Sequence, residues 1–209
     1  MNMNTTNIIE IKGLVKKYRK EKVLDIDTFS FVKGGCYLLV GANGSGKSTL
    51  IKLIVSLIKP TYGEINVYTN NIGYVPEKYT FPQYLTVYDF LDNLCKVKYK
   101  KDMKDKINYL LKWWNIEKNK KIKALSKGMK QKILIMQAII EELDLYIFDE
   151  PLNGLDINSQ NDFILMLYHL KMLGKTIIVS THYEKYYQEF FDNYIYVKEG
   201  KIIAFKEFN

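Results

Sequence analysis

Apolar residues fall into short clusters along the chain, and the spacing within each cluster predicts the element it forms. Strand-like stretches run from Ile8 to Leu14 and from Val23 to Phe31. The apolar run CYLLV at 36–40 follows, then a glycine-rich turn, then the periodic stretch LIKLIVSLIK, which predicts a helix continuing to Lys59. Pro60 and Gly63 punctuate a turn ahead of strands at Glu64–Tyr68 and Asn71–Val75. From about Tyr84 to Ala124 the pattern is helical: Val87, Phe90, Leu91 and Leu94 make one apolar stripe, and Ile107, Leu110, Leu111 and Trp114 another. Beyond it come a helix over Lys127–Glu142, a buried strand over Leu145–Phe148, a helix over Asp162–Leu173 and an extended run at Thr176–Ser180. A hairpin, Tyr194–Val197 and Ile202–Phe205 about Gly200, closes the chain. Strands alternating with helices place it in the α/β class.

With 209 residues, 47% of them hydrophobic, the chain can bury a sizeable core. A single domain over 1–209 is expected, with 84–124 as a helical subdomain within it. Apolar runs such as Leu53–Ile58 stop well short of the roughly 18 residues that cross a bilayer. The opening MNMNTTNIIEIK lacks the basic-then-apolar layout of a secretion signal, so a cytoplasmic location is expected. Cys36 and Cys95 share no metal-type spacing and read as reduced core thiols. The net charge of +8 is concentrated: Lys96–Lys132 holds fourteen lysines against Asp102, Asp105 and Glu117. That run reads as a solvated lysine-rich face, or as a face near an anionic membrane surface.

Chemistry enters at GANGSGKST. Gly41, Gly44, Gly46, Lys47 and Ser48 fit the G-x-x-x-x-G-K-[ST] pattern of a P-loop, between a strand and a helix. Glycines let successive backbone N–H groups point inward at an anion, the helix adds its positive end, and Lys47 reaches the β- and γ-phosphates. Ser48 can offer its hydroxyl to Mg²⁺. Downstream, the strand in LDLYIFDE ends on two carboxylates, where ligands of open α/β sheets collect. Asp149 then suits the Mg²⁺ shell, and Glu150 the polarising of an attacking water. A second candidate anion site is ALSKGMKQK, in which Ser126 and the N–H groups near Gly128 stand at a helix N-terminus. The same residues also read as an N-cap on a helix that simply packs on the core.

In order, GANGSGKST, ALSKGMKQ, LYIFDEP, LNGLD and VSTH resemble the motifs of the ATP-binding-cassette (ABC) ATPases over nearly the whole chain. That resemblance implies an α/β P-loop NTPase cassette with a mixed core sheet, an N-terminal antiparallel β-subdomain and an inserted α-helical subdomain. It implies ATP as the substrate and Mg²⁺ as the cofactor, with Asn43, Gly44, Ser45, Gly46, Lys47, Ser48 and Thr49 around the phosphates. It further implies Ser48, Glu77 and Asp149 toward the metal, and Glu150, His182 and Glu77 as the catalytic set. Tyr18 would stack on adenine, unless it is a plain surface tyrosine. Ser126 and Gly128 would touch the γ-phosphate held by a second copy of the chain, so that two ATP molecules are enclosed between two chains. Asp156 would lie along that dimer interface.

The implied role is the ATP-hydrolysing subunit of a membrane transporter, peripheral on the inner face of the membrane. It would drive a separate permease and would not engage nucleic acid. YVPE, SKGMKQ and NGLD look more like bacterial exporter cassettes than importers. A soluble cassette of the iron–sulfur assembly type is the alternative. The pattern departs from the family at Glu77, where glutamine is usual, and at Lys127, Met129 and Ile157. Tyr79, Phe81 and Tyr84, with Trp113 and Trp114, either line a groove for a helix of the permease or belong to the subdomain core.

Overall fold

The structure, a computed structural model, describes residues 6–98, 102–187 and 190–207. Lys100 and Lys101 of the lysine-rich run lie outside the described residues. Two long strands, β1 (Asn7–Tyr18) and β2 (Glu21–Val32), pair antiparallel, and β4 (Tyr62–Val67) joins the other side of β1 in the same sense. The second sheet has six strands: β3 (Cys36–Val40), β5 (Ile72–Val75), β6 (Leu145–Asp149), β7 (Thr176–Thr181), β8 (Asn193–Lys198) and β9 (Lys201–Glu207). Their spatial order is β5-β6-β7-β3-β8-β9, all parallel except the last hairpin pair. The fold is thus an α/β cassette with a mixed core sheet, an antiparallel N-terminal sheet and an inserted helical segment.

Side-chain alternation along the parallel strands divides the core in two. Tyr37, Leu39, Ile147 and Ile178 face α1 (Lys47–Ile54) and the antiparallel sheet. Leu38, Phe148, Ile177 and Val179 face the other layer, made of α2 (Val87–Lys98), α3 (Lys104–Trp113), α4 (Lys127–Ile139) and α5 (Ile157–Met172). Strands buried on both faces read as continuous apolar runs, as CYLLV and LYIF do. Cys36 and Cys95 are buried free thiols, as read from the sequence. Burial pushes the Cys36 thiol up to about 12 and the Cys95 thiol up to about 11.

Several boundaries differ from the sequence reading. Helix α1 stops at Ile54 rather than Lys59, because Ser56 takes a left-handed conformation (φ 58°). The Leu57 N–H then bonds the Lys52 carbonyl and the Ser56 N–H the Leu53 carbonyl, the double closure of a Schellman cap. Helix α4 ends at Ile139, three residues short of Glu142. Helix α5 begins at Ile157, five residues before expectation, since the Asp156 carboxylate accepts from the Ser159 N–H at 2.9 Å and caps it. Trp114 is buried core, as is Phe81, which packs edge-on to Phe90 at 5.4 Å. Tyr79 and Tyr84 remain exposed.

The turn of the closing hairpin braces the glycine-rich loop. Gly200 donates its N–H to the Ser45 carbonyl at 2.8 Å, and its carbonyl accepts the Asp25 N–H at 2.8 Å. Its φ is 76°, and a Cβ there would lie 2.4 Å from the Val23 carbonyl oxygen. Gly200→Ala is therefore expected to lower the melting temperature and to weaken nucleotide binding together, measured by thermal denaturation and by titration with a fluorescent ATP analogue.

Candidate functional site

Three neighbouring parallel strands end at one level and deliver the site. Val40 is in register with Thr181 across β3 and β7, and Asp149 with Ser180 across β6 and β7. The loop that follows β3 has Gly44 and Gly46 at φ 81° and 110°, which turns backbone N–H groups inward before α1 begins at Lys47. Lys47 is buried, and its Nζ donates to the Gly41 carbonyl at 2.6 Å and the Ala42 carbonyl at 3.1 Å. A hollow of about 330 Å³ opens here, lined by Val23, Asn43, Gly44, Ser45, Gly46, Lys47, Ser48, Thr49, Glu77 and Glu150. All seven P-loop positions expected from the sequence share it with two of the expected acids.

The remaining acid of the set stands just behind. Ser48 Oγ donates to Asp149 Oδ1 at 3.2 Å, and Ser180 Oγ donates to the same oxygen. Burial lifts the Asp149 carboxyl above the ordinary carboxylate range, the Ser180 and Ser48 hydroxyls pull it back, and the Glu77 charge adds to the rise. Glu150 takes a left-handed backbone (φ 50°), uncommon for a residue with a side chain, and its N–H donates to Ser180 Oγ at 3.1 Å. Its carboxylate lies between two cations or donors: Oε2 is 2.9 Å from His182 Nδ1, and Oε1 is 3.7 Å from Lys47 Nζ. An ionised carboxylate only accepts, so His182 Nδ1 carries the hydrogen of that contact. Glu150 Oε1 and Ser45 Oγ, both buried, have no hydrogen-bond partner among the described residues.

Ser180 and Val23 were missed by the sequence reading. The signal for Ser180 was a polar residue closing the otherwise apolar strand TIIVST; Val23 gave none. Two expected residues stand apart from the hollow. Tyr18, 46% exposed at the tip of the β1–β2 hairpin, is not in its lining and has Lys16 Nζ 5.3 Å from its ring. Ser126 and Gly128 likewise do not line it. Ser126 caps α4, accepting the Met129 N–H at 3.2 Å. Asp156 caps α5, and its bonds to Ser159 hold its carboxyl below the usual range.

Among the described residues no three His, Cys, Asp or Glu side chains gather to hold a metal alone. A hard cation such as Mg²⁺ is bound through one or two carboxylates together with phosphate oxygens and water, and Asp149 and Glu77 with the Ser48 hydroxyl fit that chemistry. The unpartnered Glu150 and Ser45 oxygens beside Lys47 fit a nucleotide phosphate with its attendant water.

A glycine-rich anion loop, a lysine and paired carboxylates at the ends of parallel strands define a P-loop nucleotide-hydrolase site. A family model for ABC transporters matches residues 24–153, and the chain belongs to that family. An uncharacterized ABC transporter ATP-binding protein of Methanocaldococcus jannaschii is 33% identical over 202 residues, 94% of this chain and 76% of the relative. A zinc import ATP-binding protein of Rickettsia prowazekii is 35% identical over 179 residues, 84% and 76% of the two chains. The dimeric structure of a bacterial ABC transporter cassette has a TM-score of 0.87 at 26% identity, covering 96% of this chain and 99% of that one.

Asp149 also gives a pH-dependent outcome. Its folded pKa is raised, so the buried charge costs nothing below the unfolded value of about 3.9, and stability falls as pH climbs from there through the folded pKa. In chelator without nucleotide, Asp149→Asn is expected to melt about 2–4 °C above wild type at neutral pH. The gap should close as pH drops toward 4, read by differential scanning calorimetry.

Proposed function

We propose that this chain is the ATP-hydrolysing subunit of a membrane transporter, working as a pair of copies that close on two ATP molecules and drive a separate permease. What carries the reading is the Glu150 carboxylate, buried at the hollow beside Lys47 and His182 with one oxygen unpartnered. The loop N–H groups and Lys47 bind and orient the phosphates. Glu150 accepts a proton from the attacking water, and His182 fixes that carboxylate through Nδ1. Ser48, Asp149 and Glu77 would hold Mg²⁺, whose charge would offset that of the phosphates. Ser126 and Gly128, on the α4 N-terminus of the second copy, would complete the donors around the γ-phosphate, and Tyr18 would stack on the base.

Among the described residues no helix is long and apolar enough to cross a membrane, so attachment through a permease is part of the proposal. Exposed Tyr79 and Tyr84, on the segment after Glu77, suit a docking face for that partner; buried Phe81 and Trp114 serve the core beneath it. The exporter direction read from the sequence gains no support from the relatives, one of which is named for zinc import. The soluble iron–sulfur assembly reading has no comparable support, since the relatives above bear transporter names.

Glu150→Gln is expected to cut phosphate release by about two orders of magnitude or more while ATP-bound dimers persist in sedimentation velocity. Normal turnover in that variant would remove Glu150 from the mechanism, and monomers at every ATP concentration would remove the paired site. Tyr79→Ala with Tyr84→Ala should release the chain from detergent-solubilised membranes without altering its soluble ATPase rate; unchanged co-purification would sink the docking face.

A further inference from the structure

Near the tip of the first hairpin the ladder between β1 and β2 is irregular. Lys16 pairs with Leu24 but Lys17 with Lys22, so Val23 is the extra residue of a β-bulge. Val23 is also the β2 residue that lines the nucleotide hollow, and Tyr18, paired with Glu21, lies just beyond it on the opposing strand. A bulge bends its strand and raises the local twist, so this one aims the hairpin tip as well as Val23. Strand β4 accompanies β1 only as far as Val15, opposite Tyr62, which leaves the tip with two strands. Two strands alone make a weakly held platform, and the tip needs another support.

The turn after α1 supplies it. Lys17 donates its N–H to Thr61 Oγ1 at 2.9 Å, the Thr61 N–H donates to the Val15 carbonyl at 2.8 Å, and Lys16 Nζ donates to the Lys59 carbonyl at 2.6 Å. The same Nζ stands over the Tyr18 ring, 5.3 Å from its centroid, while Tyr18 stays 46% exposed. We propose that Lys16, anchored to the 59–62 turn, is a positioning residue that holds the Tyr18 ring ready for the adenine of a bound nucleotide. A cation over an aromatic face attracts the ring quadrupole. The ring then meets the base already ordered, so less side-chain freedom is lost on binding, and affinity rises with no effect on the bond being broken. Helix α1 and its capping turn lead directly into 59–62, so the phosphates and the platform for the base are both secured by the one segment 41–62.

The inference rests on Tyr18 stacking on the base, and the test separates the two. Lys16→Met, which keeps the bulk of the stem, is compared in the full chain with wild type, Lys16→Arg and Tyr18→Ala. The measurements are ATP turnover and equilibrium binding of a non-hydrolysable ATP analogue and of tripolyphosphate, which has no base. Lys16→Met is expected to raise KM and the analogue Kd about two- to fivefold, with kcat at saturating ATP and tripolyphosphate affinity unchanged. Lys16→Arg, still a cation over the ring, should recover most of that loss. On the Tyr18→Ala background Lys16→Met should add nothing, since the ring it holds is gone. Wild-type analogue affinity in Lys16→Met, beside weakened binding in Tyr18→Ala, overturns the positioning role and leaves the stacking in place. An equal loss for tripolyphosphate, or on the Tyr18→Ala background, also overturns it, because the lysine then acts on the phosphates directly. If Tyr18→Ala binds the analogue as wild type does, the stacking reading fails first and the role of Lys16 falls with it.

Discussion

Everything at this site depends on the parallel register of β6, β7 and β3. A shift of one residue in any of these strands would exchange its two faces, moving core side chains into the other layer. It would also separate the groups the site needs. As paired, Asp149 sits opposite Ser180, and Val40 opposite Thr181, so the first carboxylate and the start of the phosphate loop leave the sheet side by side. The register is reinforced by bonds that belong to the site itself: Ser180 Oγ bonds Asp149 and the Glu150 N–H, and the Gly41 N–H reaches the Thr181 carbonyl at 3.2 Å. The same backbone and hydroxyl contacts thus serve both the sheet and the site.

The helix that carries Ser126 is built into this arrangement. From α4, buried Gln131 donates to the Pro151 carbonyl at 3.1 Å, and Gly128 abuts the Gly154 carbonyl. Farther along, Gln137 donates to the Tyr74 carbonyl at 2.7 Å, near the end of the strand that leads to Glu77. A displacement at the helix tip therefore acts on the loop after Glu150 and on the segment bearing Glu77 through rigid, hydrogen-bonded contacts. Contiguous contacts thus join the Ser126 helix tip to the loop that follows Glu150 in the same chain.

Residues with obligatory local chemistry were legible in the sequence. Glycine spacing, the lysine that follows it and a carboxylate pair after an apolar strand report their own backbone needs, and the seven loop positions did converge with Glu77 and Glu150. Terminations were less legible. Helix α1 ends where Ser56 adopts a conformation that serine rarely takes, although the apolar pattern runs on to Ile58. Helix α5 starts under an Asp156 cap followed by mostly polar residues that periodicity alone does not mark. Ser180 was overlooked for another reason. It acts through Asp149, brought to it only by tertiary packing across a sequence separation of 31.

Several locally unfavourable features collect at the site. Glu150 sits at φ 50°, a strain of about 1–3 kcal/mol for a residue with a side chain. Asp149 is a buried group whose pKa burial drives upward, and Ser45 Oγ and Glu150 Oε1 are buried without a hydrogen-bond partner among the described residues. In the sheet interior around them the buried side chains are almost wholly apolar and well packed. These features share one resolution: a hard cation would offset the Asp149 charge, and phosphate oxygens would draw Lys47 off its backbone acceptors and leave Glu150 held by His182.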